Sequence, residues 1–488
     1  MTEQTRSYMR IILLITCMGS MMAPLDSTIV SVSLPVITGD LRMSSESAIW
    51  IPTAYLVSLA VLLLTIGRLS DIRGRKNIFI IGFGVFVLGS LLCSLAQDGT
   101  QLIAFRVLQG IGAACTAATA TAITTDTFPP KERGKALGIN AMAVYIGLSL
   151  GPALGGLLTG IAGWRSIFWI NIPIGIAVML LAWRYVKDTG EIRGQEKLDI
   201  PGVLLFSVGL TSLLVVLTLG EQYGWSSIGI IGLIVLAVFS LIVFVFVENR
   251  KGQSAMLDPS MVTGNRLFAA ANFSALLNYA AYFSVAFMLS YYMQEILGFS
   301  ILYTGFILLI MPVAMAVLSP LAGWASDRIG SRFLASTGMA IITLGLLFMS
   351  ALSATSSVLD IGVGLLLIGI GMGLFSSPNT SAVMGCVERQ RLGVASGTLS
   401  TMRFMGQAAS LAIMGAIIAS VAGPDFIASL TLGTTNSTVA GDAFIRGMSM
   451  VFLVGALIAA VGTVTSLARG RPDKCKPGSE KVLGDQSH

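Results

Sequence analysis

Long apolar runs broken by short polar connections dominate this chain. Runs of about 18 residues or more recur near 11–33, 48–67, 77–97, 102–124, 136–160, 167–184, 200–219, 226–247, 267–290, 303–325, 333–353, 358–380, 393–421 and 444–467. At about 1.5 Å per residue, each can cross roughly 30 Å of hydrocarbon as a helix. The pattern therefore predicts an all-α integral membrane protein with about fourteen transmembrane helices. The first run is read as a permanent span, because it is long, lacks a small-residue cleavage site and contains Asp26. The longest polar pieces, 184–199, 248–266, 422–443 and 469–488, are too short for a soluble domain. Function is expected among the helices.

Two connections echo each other. "GRLSDIRGRK" (67–76) follows the second run and "GWASDRIGSR" (323–332) follows the tenth; both keep Gly-x-x-Ser-Asp-x-x-Gly beside basic residues. "LQGIGAA" (108–114) in the fourth run matches "LIGIGMG" (367–373) in the twelfth at the same shift of eight helices. The expected organisation is a six-helix unit over 1–190, two inserted helices over 191–250, a second six-helix unit over 251–470 and a cytoplasmic tail over 471–488. Two related half-units suggest a transporter that alternates access at their interface.

Composition narrows the chemistry. Of 488 residues, 55% are hydrophobic and 11% charged, where a soluble domain carries about 25% charged. The five cysteines (Cys17, Cys93, Cys115, Cys386, Cys475) are scattered, and the one histidine is His488. No metal site or cofactor is expected, so proton chemistry falls to carboxylates modulated by arginine. The net charge of +6 is a topology signal. With both termini inside, Arg42, Arg165 and Arg446 are the outer basic residues, Arg106 and Arg403 lie in spans, and the remaining Lys and Arg fall on the cytoplasmic side. That placement argues for a multi-pass cytoplasmic membrane protein and against nucleic-acid binding. No Gly-x-x-x-x-Gly-Lys-[Ser/Thr] loop is present, which removes an ATP-driven pump in this chain, and no enzyme activity is expected.

Asp26 and Arg106 are the charges that most require explanation. A charge near the bilayer centre costs at least ~2.5–3.5 kcal/mol, so each should be paired or face a wet cavity. We expect the two to face each other in the first unit, with protonation of Asp26 loosening the pair. In 67–76, Gly67 and Gly74 permit close approach or turning, and Asp71 can face the positive end of a neighbouring helix. Arg73, Arg75 and Lys76 anchor the cytoplasmic side. In "GLSLGPALGG" (147–156), Gly147, Gly151 and Gly155 form a bare stripe, Pro152 adds a bend and Gly156 extends the string. Such a face suits a helix that rocks against the other half. Around the ninth run, Asn278, Tyr279, Tyr282 and Met288 combine apolar area with polar handles; Tyr55, Asn140 and Tyr145 are candidate contributors from the first half.

These motifs carry a resemblance. "GRLSDIRGRK" resembles the signature between helices two and three of the major facilitator superfamily, and "RVLQGIGAA" (106–114) its fourth-helix motif. "GLSLGPALGG" is similar to the fifth-helix motif of its proton-coupled antiporters. "LDSTIVSVSLP" (25–35), "WRSIFWINIPIG" (164–175), "QEILGFS" (294–300) and Pro312 resemble elements of its fourteen-helix drug:proton antiporter family. The resemblance implies export of hydrophobic or amphiphilic compounds in exchange for protons. It implies that Asp26 and Arg106 couple the proton, and that the loop with Gly67, Asp71, Arg75 and Asp126 latches the halves. Asp327 would sit in a weaker second latch, since Ser331 stands where the first copy has Arg75. A similar arginine to Arg403 is usual in that family's thirteenth helix, and Arg403 is a further cavity candidate. With Asp26 offset by Arg106, the spans hold no spare carboxylate for a lipophilic cation apart from Glu295 near the outer face. Neutral, zwitterionic and anionic amphiphiles stay open, as do export of one endogenous metabolite and proton-coupled uptake. The partners expected are small amphiphilic substrates, protons and the lipid bilayer.

Overall fold

The computed structural model describes residues 3–43, 45–48, 50–187, 198–251, 259–422 and 439–469. The expected junction at 190/191, the tail 471–488 with Cys475 and His488, and the side chains of Glu221, Gln222 and Glu295 lie outside the described residues. Fourteen helices among the described residues are long and apolar enough to cross a membrane. The first six are α1 (Glu3–Asp40), α2 (Trp50–Arg73), α3 (Arg75–Leu95), α4 (Gly99–Thr127), α5 (Pro130–Ala162) and α6 (Asn171–Tyr185). A pair follows, α7 (Ile200–Tyr223) and α8 (Ile228–Lys251). The last six are α9 (Arg266–Tyr282), α10 (Ile310–Ile329), α11 (Ser331–Ser350), α12 (Val358–Gly385), α13 (Leu392–Ala422) and α14 (Val439–Leu467).

Three of the spans are interrupted, the sixth at Ile170, between a short helix Ser166–Trp169 and α6. The ninth stops at Tyr282, resumes over Val285–Tyr291 and closes in a π-helical turn, Tyr292–Ile296. At the break the amide of Ser284 donates to Ser410 Oγ (3.1 Å), which satisfies a backbone group that lipid could not. The tenth consists of Ile301–Leu308 and then α10, parted at Leu309. Pro312 follows closely and cannot donate back to the preceding turn.

The repeat seen in the sequence is realised in packing. A Cβ on Gly112 of α4 would lie 2.4 Å from the Phe86 nitrogen of α3, and one on Gly371 of α12 would lie 2.6 Å from the Gly338 oxygen of α11. Two residues earlier, Gly110 meets the Tyr55 oxygen of α2 and Gly369 the Met311 oxygen of α10, at 2.6 and 2.7 Å from their notional Cβ atoms. The aspartate-bearing connections turn alike too: Gly74 and Gly330 both take positive φ (93° and 88°), a conformation open to glycine at little cost. Helices α1–α6 pack as one group and α9–α14 as another; α5 meets α10 and α12, while α2 meets α13.

The inserted pair flanks this seam. α7 rests on α2 and α13, so it touches both groups, while α8 packs on α7 and presents Val235, Phe239, Ile242 and Phe246 outward. Asp199, just before α7, accepts from Gly202 N (3.0 Å) and from Lys251 Nζ at the end of α8. Burial pushes its carboxyl up, but the hydrogen bonds from Lys251 and Gly202 prevail and hold it below the usual carboxylate range.

The α5 stripe corrects an expectation. Gly147, Gly151 and Gly155 do not face the other half; they pack on α1 of their own half, where notional Cβ atoms would lie 2.7 Å from Met21 O, 1.8 Å from Thr28 Oγ1 and 2.8 Å from Ile29 O. Pro152 and Gly156 are exposed, and α5 runs unbroken from Pro130 to Ala162. The reason is helical phase: Gly134, Gly138 and Tyr145 lie on the face of α5 that reaches α10, and the stripe lies on another. Gly151→Leu is accordingly expected to lower the melting temperature of the purified protein, and Gly156→Ala, which meets nothing within 4 Å, to leave it unchanged or raise it. Thermal unfolding of both variants in detergent checks this.

Candidate functional site

Asp26 of α1 and Arg106 of α4 are both fully buried and form an ion pair, Nη1 to Oδ2 at 2.5 Å. Proximity follows from α1 packing along α4 within the first group. The second carboxylate oxygen accepts from Gln109 Nε2 and Asn171 Nδ2, both at 2.8 Å. Gln109 also accepts from Arg106 Nη1 (2.6 Å) and donates to Ser90 Oγ (2.8 Å), while Arg106 Nε donates to Ile51 O (3.3 Å). Tyr55 covers the guanidinium at 4.1 Å and donates its hydroxyl to Ala23 O. Arg106 Nη2 alone of its nitrogens has no partner among the described residues. The result is a carboxylate held by three side-chain donors and sealed from water, the arrangement in which a buried charge is tolerable.

A second cluster joins the groups at the bundle end that carries the aspartate-bearing turns, hereafter the basic end. Asp71 accepts from the backbone amides of Gly393 (2.9 Å) and Val394 (3.0 Å), placing a carboxylate on the N-terminus of α13. Asp327 does the same to α5, accepting from Gly134 N (2.8 Å) and Lys135 N (3.0 Å). Beside each aspartate the backbones nearly touch: Cβ atoms on Gly67 and Gly323 would lie 2.3 and 2.1 Å from the oxygens of Gly393 and Gly134. Around Asp71 the charges multiply. Arg75 bonds Asp71 (2.9 Å), approaches Asp126 (3.6 Å) and donates to Arg389 O, and Arg389 in turn pairs with Asp126. Asp327, with Ser331 at the position equivalent to Arg75, has no ion pair among the described residues. The hydrogen bonds and ion pairs described between the two groups all lie at the basic end.

The cavity candidates divide. Tyr145 of α5 packs with the second group, its hydroxyl beside Ser319 and Ser376 but without a hydrogen bond. Tyr279 and Tyr282 stack at 5.5 Å, and Arg403 of α13 lies 6.0 Å from the Tyr279 ring while donating to Thr380 Oγ1 (2.5 Å). Among the described residues no carboxylate bonds to these four. Three candidates belong elsewhere. Tyr55 is committed to Arg106; Asn278 donates to Met339 Sδ (2.9 Å) inside the second group; Met288 lies in that group's apolar core. Asn140 is buried, and its amide nitrogen has no hydrogen-bond partner among the described residues.

Sequence reasoning missed Gln109, Asn171 and Ser90 around Asp26, and Arg389, Gly393, Val394 and Gly134 across the seam. Gln109 was signalled by its place one turn after Arg106, and Asn171 by standing alone in an apolar run. The receiving amides carried no signal. Arg106→Gln leaves Asp26 buried without a cation and is expected to destabilise the protein by about 3–5 kcal/mol, and adding Asp26→Asn to recover a large part of that loss. Chemical denaturation of the single and double variants measures both.

Comparison with known proteins places this geometry in a family. The family model described as Major Facilitator Superfamily matches residues 16–257, 202–411 and 271–482. The riboflavin transporter RibZ of Clostridioides difficile is 31% identical over 411 residues, covering 84% of this chain and 88% of that protein. The multidrug resistance protein Stp of Mycobacterium tuberculosis is 33% identical over 408 residues, covering 83% and 75%. In fold, the human organic anion transporter MFSD10 superposes with a TM-score of 0.62 at 16% identity, over 92% of this chain and 99% of that one. The chain belongs to the Major Facilitator Superfamily and is a fourteen-helix transporter of it.

Proposed function

We propose that this transporter is a proton-coupled antiporter of the cytoplasmic membrane that exports hydrophobic or amphiphilic compounds by alternating access. The observation that carries the reading is the sealed Asp26–Arg106 pair in one half of a molecule whose halves meet at the basic end. In this reading the basic end and both termini face the cytoplasm, which the excess of Lys and Arg supports. The present arrangement is then the outward-facing state, latched by Asp71, Arg75, Asp126 and Asp327. Neutralising Asp26 with a proton removes the charge that holds Arg106, Gln109 and Asn171 together. That loosens α1 against α4 and α6, and through the α1–α5 glycine stripe it biases the rocking of the halves.

The substrate site in this reading lies between the halves at Tyr145, Tyr279, Tyr282 and Arg403. Its aromatic faces suit varied apolar bodies, and its formal charge is the Arg403 cation. Neutral and anionic amphiphiles fit it better than cations. Export of a single endogenous metabolite is the second reading, favoured by the relative named for riboflavin alone; multidrug export is favoured by the relatives named multidrug resistance proteins.

The test uses acid-loaded inside-out vesicles and follows proton release from the lumen as each compound is added. Wild type is expected to release protons with amphiphilic compounds, anionic or neutral ones most, and Asp26→Asn to bind the same compounds without releasing protons. Equal release by Asp26→Asn would sink the coupling assignment and move it to Asp71, Asp126 or Glu295. Release confined to one biosynthetic compound would favour the second reading.

A further inference from the structure

A cavity of about 580 Å³ opens at the basic end, on the flank of the seam between α1, α5 and α10. Its walls carry five cations: Arg6 and Arg10 from α1, Lys131 and Lys135 from α5, and Arg328 from α10. None of the five is ion-paired among the described residues; Arg328 lies over the Trp324 ring at 3.9 Å. The opposing carboxylates are Glu132 and Asp327, and Asp327 is already engaged by two backbone amides of α5. Five cations face two carboxylates, so positive charge is in surplus around the space. All five are exposed to the opening, and their summed field attracts an anion into this concave space.

The surroundings indicate where the anion comes from. On α10, Val313, Val317, Leu321 and Trp324 recur at helical spacing and are 45–59% exposed, a lipid-facing stripe that ends on the cavity rim. Met9 and Leu13 of α1 line the cavity wall. Trp324 stands where apolar stripe meets charge, the level that indole rings favour in a bilayer. Phosphate at the cations with acyl chains along this stripe fits one molecule, a phospholipid, and the charge surplus selects an anionic one.

We propose that this cavity binds the phosphate-bearing headgroup of an anionic phospholipid from the leaflet at the basic end, and that the lipid stabilises the closed seam. The second clause follows from the walls. Arg6, Arg10, Lys131 and Lys135 come from the first half, whereas Trp324 and Arg328 come from the second. They surround one space only while Asp327 holds the start of α5. A ligand that binds one arrangement better than the other shifts the balance toward it. The proposal depends on cavity and charge, and would stand if the antiport reading failed.

The experiment compares the full chain in nanodiscs of phosphatidylcholine with and without phosphatidylglycerol. Wild type is expected to melt several degrees higher with phosphatidylglycerol, the gain shrinking as salt is raised. The triple variant Lys131→Gln/Lys135→Gln/Arg328→Gln should lose most of that gain, while Arg184→Gln, a basic residue away from the cavity, keeps it. Spin labels introduced by Arg73→Cys and Arg332→Cys on a cysteine-free background should report a larger short-distance population with phosphatidylglycerol in the wild-type cavity only. An unchanged melting temperature, or a gain retained in the triple variant, overturns the site. The same gain from inorganic phosphate in pure phosphatidylcholine overturns the lipid in favour of a free anion. A label distance indifferent to phosphatidylglycerol overturns the coupling to the seam.

Discussion

Two places where main chain meets main chain, Gly67 against Gly393 and Gly323 against Gly134, set the terms for the rest of this molecule. In a bilayer, apolar side chains gain nothing by leaving lipid for one another, so helices associate where small residues allow close contact and polar groups find partners. Here the glycines bring α2 onto the start of α13 and α10 onto the start of α5. That approach lets Asp71 reach first-turn amides of α13, which lack intrahelical partners, and Asp327 the Gly134 and Lys135 amides one turn into α5. A side chain at any of the four glycines would separate the backbones and leave both carboxylate and amides unsatisfied. The contact is thus steric in origin and electrostatic in effect.

The Asp26–Arg106 pair depends on a similar economy inside the first half. Gly110 and Gly112 draw α4 against α2 and α3, and Gly147, Gly151 and Gly155 draw α5 against α1. The resulting space between α1 and α4 is filled by polar groups bonded to one another: the ion pair, Gln109, Ser90 and Asn171. A network in which every group but Arg106 Nη2 is bonded is stable while intact and costly when one member changes charge, which makes it suited to a two-state response. Its complete burial also separates it from the tyrosine and arginine cluster, so coupling between them runs through helix packing, by α1 onto α5 and by α2 and α4 onto α13.

Much of this was legible in the sequence because it was written in length, period and charge. Run lengths announced the spans; the shift of eight helices announced the two groups; and two embedded charges of opposite sign, Asp26 and Arg106, announced each other. What stayed hidden had physical reasons. The amides of Gly393, Val394 and Gly134 are functional as backbone, and backbone has no residue identity to read. The stripe at Gly147, Gly151 and Gly155 declared a close neighbour but could not say which, since a bare face fits any helix. Tyr55 and Asn278 have the composition of cavity residues, yet Arg106 and Met339 claim them from inside their own halves.

The two seam contacts share geometry but not charge, and that difference has a direction. Both aspartates accept from two amides at similar lengths, so the dipolar part of each contact is alike. Around Asp71, Arg75 is buried, and it reaches Asp126 and the Arg389 carbonyl as well. Separating α2 from α13 therefore removes Arg75 from the Arg389 carbonyl and Arg389 from Asp126, besides freeing Asp71 from two amides. Separating α5 from α10 and the adjoining α12 frees Asp327 from two amides and Ser377 Oγ from the Gly134 carbonyl. Breaking a buried charge network costs more than breaking two charge-assisted hydrogen bonds and one neutral one. The α5/α10 seam is the one that parts at lower cost, and it is beside it that the five cations of the cavity gather.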